Sequence, residues 1–204
     1  MPVSFGGGAA TSDRRDGRTL RSLRTRTAVV DALLALIDEG DLRPPAPRIA
    51  ERAGVSLRSV FQHFRDLEGL FAFATDRQLE RIGALVRPLP TTGPLNARLD
   101  AFVEQRVTIY EAVTPVRRAA LAQEPFSPHA VVARDRILAV ARAELERTFA
   151  DELLGGGPEL LEALDAAASW QLWEALRNHQ GLDVDGARKV LRRLLHSLLF
   201  APST

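Results

Sequence analysis

The sequence predicts an all-α chain, and three observations carry that expectation. Apolar residues recur at spacings of three and four through long stretches, the period of one helix face. Clusters of Gly and Pro (GDLRPPAP, RPLPTTGP, EPFSP, GGGP) interrupt those stretches at helix-length intervals. No segment alternates apolar and polar residues with the period of two that a strand requires.

Taken in order, TAVVDALLALIDE places Val29, Val30, Leu33, Leu36 and Ile37 on one face, and Gly40 follows as a stop. Pro45 and Pro47 sit in or before the first turn of a second helix, RIAERAG, with Ile49, Ala50 and Ala53 inward. Gly54 ends it, and Ser56 suits the N-cap of a third helix, LRSVFQHF. Further helices are predicted over 70–86, 95–113, 115–124, 129–151, 160–179 and 184–200, about nine in all.

Length and composition fit a globular protein of one or two domains. The chain has 204 residues, of which 46% are hydrophobic and 26% charged. It contains no cysteine, which excludes disulfides and thiolate metal sites. No apolar run is long enough to span a membrane, and the first residues lack an apolar leader, so a cytoplasmic setting is expected. The net charge of +1 conceals an asymmetry. Residues 12–27 hold six arginines against Asp13 and Asp16. A basic N-terminal third fits either a polyanion partner or a solvated charged tail.

Three short helices over 27–64 can share a core of Leu33, Ile37, Ile49, Ala50, Ala53, Val55, Val60 and Phe64. Small Ala53 permits a close approach, Gly54 tolerates the positive φ of a tight turn, and Val55 plugs the gap. With Val60 and Phe64 inward, Leu57, Arg58, Phe61 and Gln62 face outward, the arrangement of a helix that reads the major groove. Arg58 and Gln62 are the candidate base contacts, with solvated surface positions as the alternative. Ser56 is a cap that also suits a phosphate. His63 fits a phosphate contact or a half-buried structural role. Phe61 either packs on DNA or folds back. Arg26, Thr27 and Ser59 complete the DNA-binding candidates.

The stretch IAERAGVSLRSVFQHFRDLEGLF resembles the DNA-binding segment of TetR-like transcriptional regulators. The matching residues are Ile49-Ala50, Ala53-Gly54-Val55-Ser56, Phe61, His63-Phe64, Glu68 and Leu70. The resemblance covers about forty residues. It implies a helix-turn-helix domain over 21–66 and a ligand-binding and dimerisation domain over 67–204; the residues before them, 1–20, read from their composition as a disordered basic arm, which either enters the minor groove or lies along phosphates, or is a plain leader. It also implies a homodimeric repressor that binds a pseudo-palindromic operator and is released by a small molecule. The chain departs from the family at Phe61, where tyrosine is usual, at Leu67, where lysine is usual, and at Pro44 and Pro45, where threonines are usual. Those family residues commonly meet phosphates. The alternative function is therefore a helical dimer that binds a small molecule or protein and has lost its operator. Arg58, where family members often carry glycine, and the arginine-rich arm offer replacement contacts.

In the C-terminal part, apolar stripes on the last two helices suit a dimer, with Leu164, Ala168, Leu191, Leu194, Leu195 and Leu198 as candidate contacts; burial within one chain is the alternative. Phe102, Arg106, Tyr110, Arg117, Phe126, His129, Trp170 and Trp173 are candidates to line a ligand pocket, the tryptophans on an apolar wall with Tyr110 at its rim, though helical aromatics are more often core. An enzyme is not expected. The four histidines show no ligand spacing, the glycine runs lack a phosphate-loop lysine, and Glu144, Glu146, Glu159 and Glu162 read as helix-surface acids. No catalytic residue, metal ligand or cofactor is assigned.

Overall fold

A computed structural model describes residues 9–200, with side chains described from Thr19 onward except that of Phe126. Among the described residues there are ten α-helices and no strand. They are α1 (Ala9–Asp38), α2 (Ala46–Ala53), α3 (Leu57–His63), α4 (Leu67–Gly83), α5 (Leu95–Gln123), α6 (Pro128–Thr148), α7 (Ala150–Gly155), α8 (Pro158–Ala167), α9 (Trp170–Glu174) and α10 (Val184–Leu199). A 3₁₀ turn covers Glu124–Phe126, and a π-helical segment covers Ala175–His179. No described helix is long and apolar enough to cross a membrane.

The chain divides into two compact units, the first closing at Asp76 and the second opening at Arg77. The expected boundary lay ten residues earlier, after residue 66. The first half of α4 moves it: Leu70 and Ala74 are buried, and Phe73 packs edge-on against Phe64 with ring centroids 6.0 Å apart. In the first unit α1 packs on α2 and α3 around Val29, Leu33, Leu36, Ile37, Ile49 and Val60. Leu34 is buried as well, although it lies outside the predicted face. Ala53 and Val55, expected in this core, are only half-buried, because they flank the turn.

α1 also starts earlier than expected. The arm predicted to be disordered over 1–20 is helical from Ala9, while residues 1–8 lie outside the described residues. Residues 9–26 hold six arginines, which are good helix formers, and contain no Pro, so helix propensity runs on upstream; Gly17 is the one strong breaker, at about 1 kcal/mol.

In the second unit α5 packs against α6, α9 and α10. Leu99, Phe102, Val107, Tyr110, Leu145, Phe149, Leu164, Trp173, Leu191 and Leu195 form the core. Leu164, Ala168, Leu191 and Leu195, expected at a dimer contact, therefore lie inside the chain's own core. Burial of each leucine contributes about 1.5–3 kcal/mol there. Leu194 remains exposed and Leu198 half-buried on α10.

Helix predictions also change at Pro115, Phe149 and Ser169. A break was expected before Pro115, yet α5 continues through it for eight further residues. The proline removes one N–H, a cost of about 3 kcal/mol, and α5 stays buried beyond it at Ala119. Conversely the single helix predicted over 160–179 is broken at Ser169. Its extended backbone and its Oγ, which accepts from Leu172 N at 3.2 Å, start a new helix.

Candidate nucleic-acid interface and second-unit core

Local chemistry builds the α2–α3 turn. Gly54 adopts φ 66° in the left-handed region, and its N–H reaches back to carbonyls of the last turn of α2. Val55 N donates to Ala50 O at 3.0 Å. Ser56 then caps α3, its Oγ accepting from Ser59 N at 3.1 Å and contacting Ser59 Oγ at 3.1 Å. This opening fixes which side of α3 turns inward. Val60 is 1% exposed and Phe64 is 3% exposed, whereas Leu57 is 41% and Phe61 47% exposed. Arg58 and Gln62 are also exposed, and His63 is half-buried. Among the described residues neither Arg58 nor Gln62 has an ionic or hydrogen-bonding partner.

The neighbouring cations differ in that respect. Arg48 pairs with Asp41 at 2.7 Å, and Arg52 makes a two-toothed contact with Glu39 at 3.0 and 2.5 Å. The Arg52 guanidinium holds the Glu39 carboxyl below the ordinary carboxylate value. Arg26 corrects another expectation. It was placed with the DNA contacts, but its guanidinium lies over the rings of Phe73 and Phe64, 4.1 and 5.3 Å from their centroids, with Nε buried and unbonded. The attraction of a cation to two ring faces holds it against the first unit. Thr27, one residue on, is exposed.

The candidate ligand residues of the second unit are mostly occupied by the fold itself. Phe102 packs edge-on against Phe149 with ring centroids 5.3 Å apart, and the Arg106 guanidinium lies over the Phe102 ring, 4.6 Å from its centroid. Arg106 also pairs with Glu144 at 3.1 Å and donates to Ala141 O at 2.9 Å. Tyr110 is buried rather than at a rim, and its hydroxyl donates to Ala168 O. Burial pushes its pKa up to about 12. Trp173 is 1% exposed and donates from Nε1 to Glu111 at 2.9 Å; Trp170 donates to Thr114 Oγ1 at 3.0 Å. Arg117 is ion-paired with Glu124 and lies 5.7 Å from the Trp170 ring centroid. His129 is exposed, and the side chain of Phe126 lies outside the described residues. Tyr110, Trp170 and Trp173 thus form a polar seam that ties α5 to the start of α9, instead of an open pocket wall.

Two recesses lie elsewhere in the second unit. One recess of about 390 Å³ is lined by Gly83, Val86, Arg87, Pro88, Leu89, Thr91, Glu144, Arg147 and Thr148. A second, of about 430 Å³, shares Arg87, Pro88 and Leu89 and reaches Gln105 and Thr108. RPLPTTGP was legible only as a helix stop, so its role as a wall was missed. Glu144, expected on a helix surface, is buried, because Gln105 Nε2 donates to it at 2.6 Å and Arg106 balances its charge.

No family model matches the sequence, and no curated protein does. Several solved structures are similar to the chain, among them two transcriptional regulators. One, a transcriptional regulator from Rhodococcus sp. Rha1, aligns at TM-score 0.66 and 20% identity over 87% of this chain and 95% of its own. Another, a TetR-like transcriptional regulator from Rhodococcus sp. RHA1, aligns at TM-score 0.53 and 21% identity over 89% and 97%. The helix order, the α2–turn–α3 element and these alignments give the chain the all-helical fold of a TetR-like transcriptional regulator.

Proposed function

We propose that the chain is a DNA-binding transcriptional regulator, a homodimer that represses from a pseudo-palindromic operator and lets go when a small molecule binds. The observation that carries this reading is the outward face of α3. Arg58 and Gln62 project from a capped helix whose other side is buried, and both are without partners among the described residues. Arginine pairs with guanine and glutamine with adenine at base edges, while Phe61 and Leu57 suit a thymine methyl. Ser56, Ser59, Thr27 and His63 are the phosphate contacts of this reading. Two such helices in a symmetric dimer would be about 34–36 Å apart. The exposed Leu194 and the half-buried Leu198 of α10 are its candidate dimer contacts.

The affinity term is electrostatic. Arg21, Arg24, Arg58 and Arg65 are exposed and unpaired among the described residues. Each phosphate they neutralise steepens the fall of log affinity with log salt by about 0.9. Phe61 and Leu67 favour the second reading, a dimeric binding module without an operator, since neither offers a hydroxyl or an ammonium to a phosphate.

Fluorescence anisotropy with DNA from upstream of the chain's own gene, against scrambled DNA, separates the two at about 50 and 200 mM salt. The regulator binds the upstream DNA preferentially, weakens steeply with salt, and loses about 1–3 kcal/mol of discrimination on Arg58→Ala. Equal, feeble binding of both DNAs, unchanged by Arg58→Ala, would leave the binding module.

A further inference from the structure

We infer that the recess between the 84–94 segment and the C-terminal turns of α6 is a binding site for a small organic carboxylate with an apolar body. In its effector role the inference rests on the reading above; as a site it stands on the second unit alone.

The recess is built rather than incidental. Gln105 pins its outer wall, accepting from Arg87 N at 2.6 Å through Oε1 while its Nε2 reaches Glu144 at 2.6 Å on the opposite wall. Buried Arg98 pins the far end. It donates to Gly93 O at 3.2 Å, to Thr148 O at 2.6 Å and to Glu152 at 2.9 and 2.5 Å. One glutamine and one arginine of α5 thus fix both walls before any ligand arrives, which lowers the ordering cost of binding. The volume, about 390 Å³, lies in the range of small-molecule sites.

The charge inside selects the ligand. Glu144 is the only acidic side chain in the lining, and Gln105 and Arg106 already engage it. Arg147 has no partner among the described residues. The Arg87 guanidinium donates only to carbonyls of its own segment, Ala84 O at 2.7 Å and Val86 O at 3.4 Å. Two solvent-exposed cations are therefore left without a counter-charge at a recess whose apolar wall is Val86, Pro88 and Leu89, with Thr91 and Thr148 beside it. A carboxylate meets the guanidiniums, and a hydrocarbon or ring covers the apolar wall. An inorganic anion leaves that wall in water, and an amine meets the wrong charge.

The test uses the full chain without DNA. Benzoate, phenylacetate and 4-phenylbutanoate are titrated by calorimetry beside benzamide, benzylamine and inorganic phosphate, with the wild type and Arg147→Gln. At least one carboxylate is expected to bind at millimolar concentration or better, with benzamide roughly ten-fold weaker, and Arg147→Gln is expected to weaken the carboxylate by a similar factor. Arg147 is exposed, so the variant should melt like the wild type, which thermal scanning checks. Failure of all three carboxylates, equal binding of phosphate or benzylamine, or affinity unchanged by Arg147→Gln overturns the site. Anisotropy with the upstream and scrambled DNA keeps the two readings apart. Carboxylate binding by a chain that ignores DNA supports the site and removes the regulator; DNA binding by a chain that ignores every carboxylate does the reverse.

Discussion

Replacing Tyr110 by Phe isolates a single hydrogen bond in the second unit and gives it a pH signature. The hydroxyl donates to Ala168 O at the point where the helix breaks. In an unbroken helix that carbonyl would receive Leu172 N–H, but here Leu172 N–H caps onto Ser169 Oγ. Tyr110→Phe keeps the ring and strands the carbonyl, so stability near about pH 8 should fall by about 1–3 kcal/mol. The alkaline limb runs the other way. Burial raises the phenol from its ordinary value of 10.0 to about 12. A raised acid holds its proton longer in the folded chain, so its contribution is complete below 10.0 and is lost as pH climbs through the folded value. Over that window the wild type should lose up to about 2.7 kcal/mol, at 1.36 kcal/mol for each pH unit. The phenylalanine variant has no such loss, so the two stabilities should converge towards pH 12. Interference is small, because Tyr110 is the only tyrosine and Lys189 the only lysine. Urea melts at stepped pH, with tyrosinate absorbance followed in parallel, measure both limbs. A stability gap that stays constant with pH, or no gap at neutral pH, would refute the assignment of a buried donor.

Other perturbations have equally definite outcomes. Gly54→Ala meets no atom within 4 Å of the added methyl, so its whole cost is the left-handed backbone, about 1–2 kcal/mol in a denaturant melt. Ser56→Ala removes the α3 cap and should cost about 1 kcal/mol, with α3 amides the first to lose hydrogen-exchange protection. Glu152→Gln leaves buried Arg98 without its counter-charge and should cost about 3 kcal/mol at neutral pH. The Arg98 guanidinium holds the Glu152 carboxyl below its ordinary 4.5, so this contribution is present above that value and vanishes as pH falls through the lowered one. Acid titration of the variant by circular dichroism should accordingly show a shallower loss of stability.

The parts of the fold written in neighbouring residues were legible. Ala53-Gly54-Val55-Ser56 specifies a turn by backbone freedom and a cap, both decided within four residues, and the spacing of Val60 and Phe64 sets the inward side of α3. What depended on distant partners was not. Ser169 reads as one polar residue on an apolar helix until Tyr110, 59 positions earlier, meets the neighbouring carbonyl. Glu144 resembles a solvated acid until Gln105 and Arg106 close on it from another helix. The α10 stripe was visible, but periodicity alone does not distinguish a chain's own core from a partner, and most of the stripe went to the core. Arg26 failed for a related reason: an arginine near a basic arm suggests phosphate, whereas two phenylalanines from other segments hold it.

The seam between α5 and α9 also fixes what light reports about this molecule. Both tryptophans and the lone tyrosine belong to it, at 170, 173 and 110, and each has its polar atom bonded there. The first unit carries neither residue type between positions 1 and 76. Intrinsic fluorescence is therefore a gauge of the second unit alone, blind to α1, α2 and α3, while circular dichroism sums helices from both. Superimposable melts by the two signals would make the chain one cooperative system, and a dichroism loss that precedes the fluorescence change would be the first unit melting alone, with no label attached.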